Sequence, residues 1–100
     1  MEKIQIIGKK NLTKEETETI TKLSEEFYPK VKRIIKKIEY IAIHVKKSAK
    51  TGERNKYEVI IKIVAPLPKI EASATEWSIN KAVHDAFNEI IKVIEHKLHK

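Results

Sequence analysis

The chain reads as an α+β protein, a two-layer β-α-β-β-β-α sandwich in which a four-stranded sheet carries two helices on one face. Three observations predict it. Two long stretches repeat apolar residues with the helical period, four short runs have the β-branched content of strands, and Gly, Pro and hydroxyl residues punctuate the joins. Two amphipathic stripes and one apolar sheet face can be buried together only when both helices lie on the same side of the sheet. One hundred residues make a single domain, 1–100, and 41% hydrophobic with 35% charged residues suit a folded chain rather than a disordered one.

Ile4-Gln5-Ile6-Ile7, closed by Gly8, reads as the first strand. Thr13 followed three residues on by Glu16 is a capping box, in which each side chain satisfies a backbone N–H, so a helix is expected to start at Lys14. Ile20, Leu23, Phe27, Val31 and Ile34 recur every three or four residues and form its buried stripe. Proline removes a helical hydrogen bond and crowds the preceding turn, so a kink or a restart is expected near Tyr28 and Pro29. Acidic Glu15, Glu16 and Glu18 near the start and basic Lys30 to Lys37 near the end suit the helix dipole.

Ile38 to Val45 reads as the second strand, with Ile41, Ile43 and Val45 on one face and His44 on the other. Ser48 to Asn55, containing Thr51-Gly52, is expected as a charged hairpin loop. Tyr57 to Val64 is the third strand, with Tyr57, Val59, Ile61 and Ile63 on one face and Glu58 and Lys62 opposite. Ala65-Pro66-Leu67-Pro68 forms the next turn, since proline cannot donate to a ladder. Ile70 to Thr75 is the fourth strand, and its small Ala72 and Ala74 leave room for a helix above them. Ser78 caps the last helix, whose stripe runs through Ile79, Ala82, Val83, Ala86, Phe87, Ile90, Ile94 and Leu98. Trp77, just before the cap, is expected to staple the helix start rather than to stack on bases.

The 21 Lys+Arg against 14 Asp+Glu give a net charge of +7, which favours a polyanionic partner. The excess lies in the middle, because residues 29–56 hold ten Lys+Arg and two Glu while the flanking segments are near neutral. Solvation accounts for most single lysines, and dipole matching for two or three cations in a helix's last turn. Neither accounts for a run that continues from Lys30, Lys32, Arg33, Lys36 and Lys37 through Lys46 and Lys47 to Lys56. The last helix adds Lys81, His84, Asn88, Lys92 and His96 on its polar face, interleaved with Asp85, Glu89 and Glu95.

Several chemistries lack their parts. Without cysteine there is no disulfide framework, thiolate metal site or Cys nucleophile. No phosphate-binding loop, dinucleotide fingerprint or nucleophile elbow is present. His96 and His99 could share a helical face, but a third ligand is missing, and basic last turns often carry His for the dipole alone, so no metal or cofactor is expected. His84 and Asp85 are neighbours in sequence and point apart on a helix, so no catalytic pair stands out and no enzyme is expected. No apolar run approaches the roughly 20 residues needed to span a bilayer, and the start lacks the pattern of a secretory signal, so a soluble cytoplasmic protein is expected.

With that element order, Ile4-Gln5-Ile6-Ile7-Gly8-Lys9 leading into a Thr-capped helix, together with Ala82-Val83-His84-Asp85-Ala86-Phe87 after a capping Ser78, resembles the short ribosome hibernation factors. These are the ribosome-associated inhibitor and hibernation-promoting factor family, also called sigma-54 modulation proteins. The resemblance covers nearly the whole chain and rests on short, mostly structural motifs. It implies a cytoplasmic factor that occupies the mRNA and tRNA channel of the small ribosomal subunit and blocks translation during dormancy. It also implies a short form without the domain that long members use to pair ribosomes. Lys9 matches the family's basic residue after the first strand's Gly, and Lys92 one in the last helix. His96 stands at a further basic position, while Ile79-Asn80 and Lys92-Val93 depart from the family's Met-Tyr and Arg-Gln.

The expected partner is therefore the small subunit and its rRNA, contacted by Lys9, Lys30, Lys32, Arg33, Lys36, Lys37, Lys46, Lys47, Lys81, Lys92 and His96, with occupancy alone silencing the ribosome. No membrane or small-molecule partner is expected, and the chain is expected as a monomer or weak homodimer. A general double-stranded RNA or DNA binder is the alternative, and a small enzyme using His84 or His44 on an acidic substrate is a third.

Overall fold

A computed structural model of the chain describes residues 4–49, 55–66 and 69–98. Strand β1 (Ile4–Ile7) leads through Gly8 and a single 3-10 turn at Lys9–Asn11 into helix α1 (Lys14–Ile34). Then come β2 (Tyr40–Ala49), β3 (Asn55–Val64), β4 (Ile70–Glu76) and α2 (Ile79–Leu98). The order is β-α-β-β-β-α, as the sequence predicts. Both caps form as expected: Thr13 and Glu16 close a reciprocal capping box at 3.0 Å, and the Ser78 hydroxyl accepts from the Lys81 N–H at 3.3 Å.

The sheet has the order β1-β2-β3-β4, with β1 parallel to β2 and the other pairs antiparallel. Strand alternation then assigns the faces. Ile41, Ile43 and Val45 of β2, Tyr57, Val59, Ile61 and Ile63 of β3, and Ile70 of β4 are buried beneath the helices. Gln5 and Ile7, Tyr40, His44 and Lys46, and Ile60 and Lys62 stand on the opposite face, which no element of the described chain covers. β1 and β2 run the same way, so α1 must return between them. β3 and β4 reverse in turn, so α2 runs back alongside α1 in the same direction. Both helices therefore end at the edge of the sheet where β2 begins and β3 ends.

The helix stripes meet over the sheet. Ile20, Phe27 and Val31 of α1 and Ala82, Val83, Ala86, Phe87, Ile90 and Ile94 of α2 are all buried. The Phe27 ring stacks on Phe87 with centroids 4.9 Å apart, which fixes how the helices sit side by side. Ser24 is fully buried between them and its hydroxyl donates to the Ile20 carbonyl at 2.6 Å, so no polar atom is stranded there. α2 packs over β4, where Ala72 and Ala74 admit it closely.

Three local expectations change. The helix passes through Pro29 without a restart, because the ring sits on its exposed side and Phe27 and Val31 hold the stripe across the missing bond. β2 starts at Tyr40 rather than Ile38 and extends to Ala49, and β3 starts at Asn55, so Ser48, Ala49 and Asn55 pair as ladder rungs instead of belonging to the loop. Thr51-Gly52 itself lies outside the described residues. Trp77 keeps 41% of its surface open with the Lys56 ammonium 5.2 Å above its ring, more exposure than a staple implies.

Gly8 has φ +99°, and a Cβ there would run into the Val45 carbonyl oxygen. Gly8→Ala is expected to cost about 1–3 kcal/mol, from backbone strain and from pushing β1 off β2. Urea unfolding measures it, and an unchanged midpoint would refute the clash.

Candidate nucleic-acid interface

The two-residue period of a strand separates cations that are neighbours in sequence. Lys46 points to the open face of the sheet. Lys47 points inward with Ile43 and Val45, and at that depth a lysine needs a partner. It has one: its Nζ lies 3.1 Å from Glu16 Oε1, and its side chain is 19% exposed. Glu16 Oε1 also accepts from the Thr13 N–H, and Oε2 accepts from the Tyr57 hydroxyl. One carboxylate thus caps α1, binds β2 and binds β3.

Burial would raise the Glu16 carboxyl, but hydrogen bonds from Tyr57, the Thr13 N–H and Lys47 outweigh it and hold the group below its ordinary 4.5. Burial, then the accepting and negatively charged Glu16, push the Tyr57 phenol up to about 12. Lys47 is therefore a structural cation and is withdrawn from the set facing a polyanion.

The cations of residues 30–37 are placed differently. They occupy the last turns of α1 and the connection into β2, where both helices end. Lys30, Lys32, Arg33, Lys36 and Lys37 are exposed, and none is ion-paired among the described residues. Lys32 donates to the Lys36 carbonyl at 2.9 Å, which settles an orphan carbonyl beyond the helix end. Lys30 lies 5.0 Å above the Phe27 ring, at the seam between the helices. The Ile35 N–H bonds the Val31 carbonyl at 2.8 Å and the Glu39 N–H bonds Val64 at 2.8 Å, so the connection is tied at both ends.

Between this connection and the β3–β4 turn lies an open groove of about 440 Å³, lined by Lys32, Lys36, Lys37, Ile38, Glu39 and Pro66. His96 and Lys97, in the last turn of α2, reach the same end of the molecule, and Lys92 stands about one turn earlier. Lys92 is 74% exposed and only loosely paired with Glu89, at 3.6 Å.

The remaining expected contacts do not join this pole. Lys46 sits six residues along β2 from Tyr40, about 20 Å away and on the open face. Lys81 lies in the first turn of α2, bonded to Asp85 at 3.1 Å and near Glu76 at 3.7 Å. The Asp85 hydrogen bond raises the Lys81 ammonium above its usual value, and the Lys81 bond lowers Asp85. Lys9 falls in the turn after β1, at the opposite end of the sheet. The basic run of residues 30–56 is therefore not one plate. It divides into a pole at the helix C-termini and separate cations on the open face and at the far end. Lys50 and Arg54 lie outside the described residues.

Two groove residues, Glu39 and Pro66, carry no weight in the sequence reading. Glu39 is the one acid between Glu26 and Glu53, and that isolation was the available signal. The histidines stay apart: His44 is half-buried on the open face, and His84 contacts Phe27 edge-on and Asn88 at 3.1 Å. Among the described residues no three His, Asp or Glu side chains gather to hold a metal, and no helix is long and apolar enough to cross a membrane. His99 lies outside them. No protein-family model and no curated protein matches the chain.

The Glu16 network predicts its own pH dependence. The folded Glu16 value lies below the unfolded one, so its contribution is present above about pH 4.5 and lost as pH falls through the folded value. The folded Tyr57 value is raised, so its contribution is present below about pH 10 and lost as pH rises towards about 12. Tyr57→Phe should cost about 1–2 kcal/mol at neutral pH and flatten the alkaline loss. Urea unfolding across the pH range checks both, and an alkaline limb identical to wild type would refute the assignment. Lys47→Met should lower the unfolding midpoint and leave affinity for RNA unchanged, as measured by filter binding.

Proposed function

We propose that the chain is a non-enzymatic RNA-binding factor that docks on rRNA of the small ribosomal subunit and inhibits translation by occupying the channel for mRNA and tRNA. The observation that carries this reading is the pole of cations at the shared C-terminal end of α1 and α2, where Lys30, Lys32, Arg33, Lys36 and Lys37 make no ion pair among the described residues. Cations held on a helix end and a tied connection keep a fixed spacing, which is what phosphate contacts on a folded RNA require. They also lie past the end of the sheet, exposed to an approaching RNA surface.

Dipole matching does not exhaust them. Lys32 is engaged with a carbonyl, but Lys36 and Lys37 stand beyond the last turn of α1, where the dipole has fallen away. Each phosphate they neutralise releases counterions, so affinity is set by salt. Steric exclusion needs nothing further from the chain: no nucleophile, no base and no cofactor.

The test is co-sedimentation with small subunits over a salt series, with inhibition of cell-free translation measured in parallel. Lys36→Glu with Lys37→Glu should weaken subunit binding about tenfold or more, reduce the salt slope by about two and relieve the inhibition. A protein absent from small subunits at low salt, or a charge-reversed variant that still inhibits fully, would overturn the reading. Naked duplex RNA competing as well as intact subunits would favour a general duplex binder instead.

A further inference from the structure

An unpaired carboxylate inside a phosphate-binding groove calls for a reason. Glu39 lines the groove together with Lys32, Lys36 and Lys37, yet its side chain is within ion-pair distance of none of them. A carboxylate there opposes a bare phosphate by like-charge repulsion, so a groove built only for phosphate would be better without it. The cost is reversed if the ligand brings N–H donors as well as a phosphate. The exposed ring of Pro66 adds an apolar surface to the lining and suits the flat face of a base. About 440 Å³ is room for one nucleotide rather than a helix of RNA.

We infer that this groove takes a single guanosine nucleotide, its phosphate on Lys36 and Lys37 and the Watson–Crick edge of its guanine on Glu39. The inference rests on the RNA-binding reading and gives it a point of sequence preference. Of the four bases only guanine presents two adjacent donors, N1–H and N2–H, to both oxygens of one carboxylate. Adenine and cytosine set an acceptor beside their amino group, and uracil flanks its single N–H with two carbonyls, so each meets Glu39 with at least one repulsive contact. A bidentate pair of this kind separates right from wrong base by about tenfold or more. Lys32 contributes indirectly, since its bond to the Lys36 carbonyl fixes the groove wall. The nucleotide is one splayed out from RNA, the form in which single-stranded bases expose that edge.

The experiment titrates the intact protein with GMP, IMP, AMP and inorganic phosphate, following backbone amide resonances. A short single-stranded RNA holding one guanosine, and its inosine counterpart, are titrated in the same way. GMP is expected to outbind IMP and AMP by about tenfold, because IMP lacks the N2 amino group, with shifts centred on residues 36–39. The guanosine RNA is expected to show the same preference over inosine. Glu39→Gln, a change at an exposed side chain, should erase both preferences while leaving the urea unfolding midpoint unchanged.

Equal binding of GMP, IMP and phosphate, or a preference that survives Glu39→Gln, would overturn the guanosine site. Were subunit binding intact at the same time, the RNA-binding reading would stand without it. Guanine selectivity that persists in a protein unable to bind subunits would instead overturn the ribosomal reading alone. Selectivity for free GMP with exclusion of the RNA would assign the groove to a free nucleotide and overturn the RNA-borne form.

Discussion

The position of α1 on the sheet depends on the carboxylate of Glu16. Its two oxygens receive the helix's own first N–H, the ammonium of a β2 lysine and the hydroxyl of a β3 tyrosine. The lysine is half-buried and the tyrosine buried, so neither is readily satisfied by water, and the loss of the acceptor would strand both. The helix start is therefore pinned to two strands at once. A helix of 21 residues is a rod of about 30 Å, and pinning one end while Phe27 stacks on Phe87 fixes where the other end emerges. The placement of Lys30 to Lys37 is in this sense decided at residue 16.

Physical chemistry separates the cations more sharply than the count of charges does. Lys47 and Lys46 are adjacent, and one became part of the core's rim while the other faces outward. Lys81 is held between two acids. The cations at the helix end carry no such partners, and those are the ones whose charge remains available to a polyanion. A net charge of +7 would be compatible with even dispersal; the uneven pairing is what produces a pole.

Most of the architecture was legible in the residues. The capping box, the two stripes, the inward faces of β2 and β3 and the small-residue strand under α2 each follow from local pattern, because burial imposes a period that the sequence must obey. Strand ends were harder to read. Ser48 and Ala49 have no β-rich composition, and their pairing is decided by Lys56 and Asn55 across the hairpin rather than by their own propensity. At Pro29 the local rule led to the expectation of a kink or a restart, and the helix runs on from Lys14 to Ile34 without a restart because packing on either side holds its stripe. For the site, the clustering of cations was visible but their parting was not. Which lysine meets Glu16 is a contact across 31 residues, and the groove at Glu39 exists only once the β3–β4 turn folds back beside the end of α1.

The parallel pairing of β1 with β2 bears on the order in which the chain can assemble. Ile4 lies opposite Ile41 and Ile7 opposite His44, so the strand made earlier by the translating ribosome has no partner until some 37 further residues have emerged. The β2–β3 and β3–β4 hairpins close over short spans and carry little loop entropy, whereas β1 must wait for a whole helix to form and turn back. During that interval Ile4, Ile6 and Ile7 are uncovered on a nascent chain. β1 is thus joined to the sheet by a far longer closure than either hairpin, and its place at the edge is the one most dependent on the helix that precedes β2.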